Sequence, residues 1–398
     1  MLVLAAFLSV SALPSSEASA GPPGDGILAP TWTSFTLPAS TTLTFTLASS
    51  FTGNALYTWA AGLRMAGGNF DHNIRWSIEY TYGDKETAFT YRWYSGEADW
   101  LSLEFVTPAA PSGTFVFLRV TNGEATARTM EYTQLGRIVQ SGRPRGADTV
   151  LTGSVTLGAF SGIDDIRYTA GLAADKLYIF NVRVYLVSDP DATQLVAWLW
   201  RCYRSTSDPP VPSNVGQSRH AERWGDDSWT NTIWASRTAG SFCGLWINNW
   251  DPNSQQFAYV IRYYTAGSTS RVLEDNHEAA TCVTLPPGAI FDATQRVLPV
   301  GRRYIGYARV VLNNGLFGDV DHKTAVYSGL LDTGTGGDGF RQGYKIRYWT
   351  DFRSIYNPWE EGITLSYSAT YTTDHVIHIS NVDTVSRQFC YVSSVVSF

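Results

Sequence analysis

Two aspartates in a glycine-rich segment have the spacing that best suits metal chemistry. Asp332 and Asp338 enclose the run Thr-Gly-Thr-Gly-Gly. Glycines allow backbone carbonyls to converge beside carboxylates, and such a set of oxygens suits a hard cation such as Ca²⁺. The bidentate Glu that closes an EF-hand loop is missing, so a flexible loop is the competing interpretation. We expect no cofactor, with Ca²⁺ at Asp332 and Asp338 as the alternative.

Catalytic motifs are missing from the sequence. It contains no G-x-S-x-G nucleophile elbow, no G-x-x-x-x-G-K-S/T phosphate loop and no H-E-x-x-H zinc motif. His375 and His378 lie three residues apart on a predicted strand, so their side chains point to opposite faces and cannot bind one metal ion together. We expect a protein that is not an enzyme and has no catalytic residues.

Aromatic side chains offer a second kind of chemistry, the stacking of sugar rings. The chain has 14 Trp and 22 Tyr. Trp224 and Trp229 stand in a turn-like stretch and are the candidates for glycan stacking. Trp76 and Trp198 lie on alternating segments, and we expect them to be buried in a core.

Composition restricts the fold and the partners. A chain of 398 residues with 14% aromatic and only 16% charged residues, rich in Thr, Ser, Val and Tyr, favours several β domains. The net charge of -6 is unsuited to binding nucleic acid, which depends on clustered cations. Beyond the N-terminus, no apolar stretch reaches the roughly 20 residues that a membrane span needs.

The first 20 residues read as a secretory signal peptide, with an apolar run followed by Ala-Ser-Ala. A second interpretation is open, because the alternation of Val3, Ala5 and Phe7 could form a strand donated to a neighbouring subunit. Both interpretations predict an exported, extracellular or cell-surface protein. Four cysteines then permit two disulfides in three possible connectivities, of which we expect the pairs within repeats, Cys202 with Cys243 and Cys282 with Cys390.

The strongest signal is a two-strand pattern that occurs three times with the same internal spacing. An Asn follows a short apolar strand, a long polar residue comes six positions later, and a Tyr comes ten positions later. The three copies are Asn122, Arg128 and Tyr132; Asn249, Gln255 and Tyr259; and Asn381, Arg387 and Tyr391. The Asn is expected to open a turn, and the later residues to resume the alternation on a return strand.

Each copy also begins with a turn followed by a strand, at Leu37, Leu172 and Leu298. Pro/Gly-rich stretches separate the copies and predict domains at 21–140, 150–268 and 285–398. We therefore predict an all-β protein of three tandem antiparallel β-sandwiches, of jelly-roll or immunoglobulin-like type. The short linkers suggest a stiff rod.

The closing segments SGTFVFLRVTN and AGSFCGLWINN, with the shared opening strands, resemble the bacterial pre-peptidase C-terminal domain family. The resemblance implies a small jelly-roll-like sandwich found in secreted proteins. It covers the ends of each repeat, and the third copy departs from it with Thr373-Asp374-His375.

The favoured functional hypothesis is a structural subunit of an extracellular filament or surface assembly. It would associate with copies of itself head to tail, with Val3, Ala5 and Phe7 as subunit contacts. The alternatives are a secreted carbohydrate-binding adhesin or accessory module that stacks glycans on Trp224 and Trp229, and a viral coat protein.

Overall fold

The computed structural model describes most of the chain, apart from the N-terminal segment and several connections. The described residues are 32–65, 73–82, 85–93, 99–167, 172–187, 194–203, 223–224, 228–236, 241–249, 251–268, 273–298, 303–312, 324–332, 340–349, 360–368, 373–381 and 384–397. Every regular element within these ranges is a β-strand, and every strand pair is antiparallel, as the alternating Thr, Val and aromatic residues predicted.

Eight strands form each of three sandwiches. The first has β1 (Thr33–Leu37), β2 (Thr42–Ala48), β3 (Ala55–Met65), β4 (Ile74–Tyr82), β5 (Lys85–Trp93), β6 (Asp99–Val106), β7 (Thr114–Asn122) and β8 (Arg128–Ser141). The second has β9 (Thr149–Leu157), β10 (Ser161–Arg167), β11 (Lys176–Leu186), β12 (Gln194–Tyr203), β13 (Arg223–Trp224), β14 (Ser228–Ser236), β15 (Phe242–Asn249) and β16 (Gln255–Ser268). The third has β17 (Leu273–Leu285), β18 (Ile290–Leu298), β19 (Arg303–Leu312), β20 (Thr324–Asp332), β21 (Phe340–Trp349), β22 (Glu360–Ser368), β23 (Thr373–Asn381) and β24 (Arg387–Ser397).

The three sandwiches share one topology. The first pairs its strands as β1-β8-β3-β6 in one sheet and β2-β7-β4-β5 in the other. The second and third repeat both orders strand for strand, as β9-β16-β11-β14 with β10-β15-β12-β13, and as β17-β24-β19-β22 with β18-β23-β20-β21. Two four-stranded antiparallel sheets connected in this order form a jelly roll. The predicted fold class of three tandem jelly-roll sandwiches is confirmed.

Each sandwich closes on a core of alternate side chains from its two sheets. In the first, Trp76 of β4 and Leu118 of β7 are buried together with Met130 of β8, the residue eight positions after the repeat Asn. In the second, Trp198 and Phe257 occupy corresponding places. The burial predicted for Trp76 and Trp198 is therefore found, because the side chains of alternate residues point to one face of a strand.

The third domain boundary was placed too late. The segment around Pro286 and Pro287 is the turn between β17 and β18, whereas the third sandwich begins with β17 at Leu273. β17 pairs with the last strand, β24, so it belongs to this sandwich. A Pro/Gly-rich stretch marks a change of chain direction, and a turn inside a domain has the same composition as a linker between domains.

The predicted opening strands are also misaligned. Leu37 ends β1, whereas Leu172 precedes β11 and Leu298 ends β18. The equivalent positions by strand pairing are Leu37, Leu157 and Leu285, which lie opposite Arg128, Gln255 and Arg387 respectively. A turn followed by alternating residues recurs several times in one jelly roll, so this pattern alone does not define a register.

The sandwiches pack around each other and do not form a rod. β14 of the second sandwich lies against β5 and β6 of the first, and β21 of the third lies against β6 of the first. β14 also contacts β19 and β22 of the third sandwich, so each sandwich touches both of the others. The rod interpretation was wrong because a short linker limits the distance between two domains but leaves their direction free.

Candidate functional site

The repeat Asn makes the same hydrogen bonds in all three sandwiches. Its Nδ2 donates to the carbonyl at the end of the first strand, to the carbonyl of the next residue, and to the carbonyl four residues after the Asn itself. The donor–acceptor distances lie between 2.8 and 3.5 Å. These carbonyls belong to Leu37, Pro38 and Thr126; to Leu157, Gly158 and Asn253; and to Leu285, Pro286 and Val385.

We call this arrangement the Asn clasp. It joins the turn that follows the first strand to the turn that precedes the last strand, so it ties the beginning of each sandwich to its end. The Oδ1 atoms of Asn122 and Asn249 also accept a hydrogen bond from the backbone N–H two residues later. All three Asn side chains are buried, where such turn carbonyls need a donor other than water. The clasp therefore has a structural role.

The repeat Tyr covers the first strand of its own sandwich. Tyr132 stands opposite Thr33 and Tyr391 stands opposite Thr281, and burial raises the pKa of both phenols. In the second sandwich the opposite residue is Gly153, where a Cβ atom would overlap the Tyr259 hydroxyl. The Tyr259 ring fills the space that a side chain at position 153 would occupy.

The residue six positions after the Asn supports the same end of the sandwich. Arg128 forms an ion pair with Glu124 in the turn. Gln255 and Arg387 occupy the equivalent position opposite the last residue of the first strand, and both are buried. The nine repeat-motif residues thus all lie where the first and last strands of a sandwich meet.

A second repeated tyrosine was missed by sequence reasoning. Tyr57 of β3 and Tyr178 of β11 each accept a hydrogen bond through the hydroxyl from the backbone N–H five residues earlier, at Thr52 and Ala173. The signal was present in the aligned third strands, as LYTWA and KLYIF. The third sandwich has Tyr304 at this position, and the residue five before it is a proline, which has no N–H to donate.

The surface between the first and second sandwiches contains the polar contacts that do not repeat. β6 is an edge strand, so every second N–H along it points away from its own sheet. The N–H of Glu104 donates to Asn231 Oδ1 at 2.9 Å, and the N–H of Val106 donates to the Tyr264 hydroxyl at 3.1 Å. Side chains of the second sandwich thus accept hydrogen bonds from backbone N–H groups at the edge of the first.

Tyr264 is central to this surface. Its ring is buried, and the guanidinium of Arg145 lies over it at 4.0 Å from the centroid. Burial raises the pKa of the Tyr264 phenol to about 12. Arg145 in turn pairs with Asp148, so the linker between the two sandwiches is held at its charged residues.

Backbone hydrogen bonds fix the same linker to both sandwiches. The N–H of Arg143 donates to the carbonyl of Asn54 in the first sandwich at 2.7 Å. The N–H of Gly146 donates to the carbonyl of Thr265 in the second at 2.8 Å. Because Arg143 of the linker is bonded to the first sandwich and Gly146 to the second, the two sandwiches cannot rotate freely about the linker.

Apolar side chains complete the contact among the three sandwiches. Leu56 and Val106 of the first and Ile305 of the third belong to the buried cluster that fills the second. Together with the strand contacts, this continuous core makes the three sandwiches one packed body. We call the region formed by β5, β6, β14, β21 and β22, together with Tyr264 of β16 and Arg145 of the linker, the inter-sandwich surface.

The two disulfides have the predicted connectivity. Cys202 bonds to Cys243 between β12 and β15, and Cys282 bonds to Cys390 between β17 and β24. Each pair occupies directly opposed positions of neighbouring strands. Two disulfides are typical of an oxidising compartment, which agrees with an extracellular protein.

The remaining candidate residues lie on separate strands or outside the described residues. Trp224 lies in the short strand β13 and Trp229 in β14, the strand that packs against the first sandwich. Asp332 ends β20, and Asp338 lies outside the described residues, as do Val3, Ala5 and Phe7. In the described part of the chain, no cluster of three or more His, Cys, Asp or Glu side chains could hold a metal ion. The described residues also include no helix long and apolar enough to span a membrane.

Comparison with known proteins gives remote structural likenesses. No protein-family model and no curated protein matches the chain. The chain is similar to a protein of the Sulfolobus Turreted Icosahedral Virus, with 9% identity over 63% of this chain and 91% of that one, at a TM-score of 0.25. The triple jelly-roll protein of an archaeal virus turret matches 92% of this chain with 81% of its own at 11% identity and a TM-score of 0.19.

A third likeness is to the tandem CBM22 domains of Xyn10C from Paenibacillus barcinonensis, at 7% identity over 64% of this chain and 92% of that one, with a TM-score of 0.22. At such identities and TM-scores none of the three carries an argument about function. The fold assignment rests on the strand order of the chain itself.

Proposed function

We propose that this chain is a structural building block of an extracellular layer or shell that assembles from many copies. The observation that carries the proposal is the packing of three equivalent jelly rolls around one inter-sandwich surface. The fifth strand of the first sandwich, β5, contacts the sixth strand of the second, β14. In the same way, the fifth strand of the third sandwich, β21, contacts the sixth strand of the first, β6. The second and third sandwiches meet through different strand positions, β14 with β19 and β22.

A block of this kind is suited to making contacts in several directions. The strands at positions five and six of the first and third sandwiches, and the position-six strand β14 of the second, are used inside the block. The strands at positions one and two are the opposite edges of the same sheets, and in the described residues their main contacts are within their own sandwich. Outward edges on three sides allow a block to join neighbours in a surface, whereas a single-file filament needs two ends only.

The rigidity of the block supports an architectural role. The linker hydrogen bonds, the shared core and the two disulfides all restrict movement of one sandwich against another or of strands within it. A structural subunit must present its contact surfaces in constant positions, because small changes of angle accumulate over many copies. The filament with a donated N-terminal strand remains the alternative within this proposal.

Electron microscopy of the purified full-length chain, over a range of concentration and ionic strength, tests the proposal. We expect flat arrays or closed particles in which each block has three lobes. Rods one chain in width, lost when residues 1–20 are deleted, would favour the filament. Dispersed single chains under all conditions would contradict assembly in either form, and glycan-dependent clustering lost in Trp224→Ala and Trp229→Ala would favour the adhesin.

A further inference from the structure

The six outward edge strands differ in how well they are protected against pairing with another chain. Natural proteins block exposed edges with charged residues, prolines or β-bulges. β10 carries Asp164, Asp165 and Arg167, β17 carries several acidic residues, and β18 carries Asp292 and Arg296. All three also have register shifts against their neighbours. These edges are protected in two ways.

The three other outward edges, β1, β2 and β9, contain no charged residue and no proline. β2 has a register shift between Thr46 and Ala48, and β1 is only five residues long. β9 has neither restriction, since its nine residues pair with β16 without interruption. It is therefore the longest regular outward edge without protection.

β9 has one partner in the described part of the chain. It is the last strand in the order β14-β11-β16-β9. Its side chains alternate in burial, with Val150, Thr152, Ser154 and Thr156 exposed. Leu151 and Val155 pack against the core of the second sandwich. The strand thus has the alternation of a half-buried strand, and no other described strand pairs with the backbone groups of its outer edge.

We propose that β9 pairs in antiparallel fashion with β9 of a second copy of this chain, which joins two sheets into one of eight strands. A register centred on Gly153 places exposed residues opposite exposed residues and core residues opposite core residues. Thr152 then faces Ser154 of the second copy, and Leu151 faces Val155 of the second copy. No charged side chains face each other in this register. The contact is isologous, because a twofold axis relates the two β9 strands.

A second copy is favoured as the occupant by this self-complementarity. β9 has nine uncharged residues with Thr and Ser on its outer face, and an identical strand matches it. A partner with a charged edge would leave its charges beside uncharged side chains. The inference deepens the proposed function and rests on it, because the twofold contact would be one of the links between blocks.

The test uses charge substitutions at two exposed positions of the full-length chain. In T152K/S154K, each Lys would face a Lys of the second copy, and we expect the dissociation constant of the dimer to rise about tenfold or more by sedimentation velocity. The matched control is T44K/T46K, which adds the same charges to exposed positions of β2 and should leave the dimer unchanged. Circular dichroism and thermal unfolding verify that both variants are folded.

A charge exchange makes the test specific. T152E/S154E should also fail to dimerise alone, and a mixture of the Lys and Glu variants should restore a mixed dimer. Amide hydrogen exchange of residues 149–157 should slow with concentration in the wild type, in T44K/T46K and in this mixture, and in neither T152K/S154K nor T152E/S154E alone. Equal loss of association in T152K/S154K and T44K/T46K, or no recovery in the mixture, would overturn the β9 contact.

Other results overturn the inference in distinguishable ways. If deletion of residues 1–20 removes the β9 protection, the occupant is the N-terminal segment and not a second β9. If wild-type chains assemble and the β9 variants assemble equally well, the inference fails while the proposed function stands. If the wild-type chain stays monomeric throughout, both fail.

Discussion

The Asn clasp and the inter-sandwich surface follow opposite rules. The clasp uses the same residue type, the same acceptor positions and the same spacing three times, at Asn122, Asn249 and Asn381. The inter-sandwich surface is built from residues that occur once, such as Asn231 and Tyr264. The repeated residues therefore join the first and last strands within each sandwich. The residues outside the repeat form the contacts between sandwiches.

The largest effect is expected when the clasp is removed. Asn249→Ala deletes the donor to three turn carbonyls, so we expect a loss of about 3 kcal/mol in the free energy of unfolding, measured by urea denaturation. Ser254→Ala is the matched control, because Ser254 donates a single bond to the Leu157 carbonyl, and it should lose about 1 kcal/mol. Equal losses in the two variants would contradict the clasp.

Alkaline pH should act on the inter-sandwich surface. The pKa of Tyr264 is raised to about 12 in the folded protein against about 10 in the unfolded chain, so the folded state favours the neutral phenol. This contribution to stability is fully present below pH 10 and is lost as the pH rises from 10 to 12, at about 1.4 kcal/mol per pH unit. In denaturation curves across this range, Tyr264→Phe should show a shallower decline than the wild type. An unchanged decline would argue against burial of the phenol.

A pair of tyrosine variants sharpens the comparison at neutral pH. Tyr264→Phe and Tyr178→Phe each remove a hydroxyl that accepts from a backbone N–H, so each should lose about 1 kcal/mol. The location of the effect should differ. Hydrogen exchange should speed up at β6 of the first sandwich in Tyr264→Phe, and near Ala173 in Tyr178→Phe. If Tyr264→Phe leaves exchange in β6 unchanged, the hydrogen bond between sandwiches does not stabilise their contact.

The smallest effect concerns a turn position whose conformation repeats while its residue type does not. Ser40, Phe160 and Gly288 all have positive φ in the turn after the first strand. Phe160→Gly removes left-handed strain, and after the greater unfolded-chain entropy of glycine we expect a net gain of about 0.5 kcal/mol. Thermal unfolding measures it, with Ala159→Gly in the same turn expected to lose stability. A loss in Phe160→Gly would show that the exposed ring contributes to the fold.

Sequence reasoning found the parts of the fold that recur. Three copies of the spacing from Asn to Tyr defined three sandwiches, and their cysteines predicted the two disulfides, since a pair within one repeat can reach across neighbouring strands. Trp76 and Trp198 were correctly placed in the cores because strand alternation determines which face is buried. These inferences depend on local pattern alone.

The rest depends on contacts between distant segments. Glu104 and Asn231 are 127 residues apart, and neither belongs to a repeated pattern, so their hydrogen bond could not be read from the sequence. The rod was wrong for the same reason, since nothing local indicates that β21 returns to β6. The turn at Pro286 was mistaken for a linker because both have the same composition.

Placing three jelly rolls on one chain has a consequence for how such blocks can differ on their outer sides. A trimer of identical chains must carry the same residues on every side, so any change that opens one edge opens all three. Here β9 lacks charge while β17 is acidic, and each can change without the other. Covalent linkage thus lets a unit of three jelly rolls acquire edges that differ from one another.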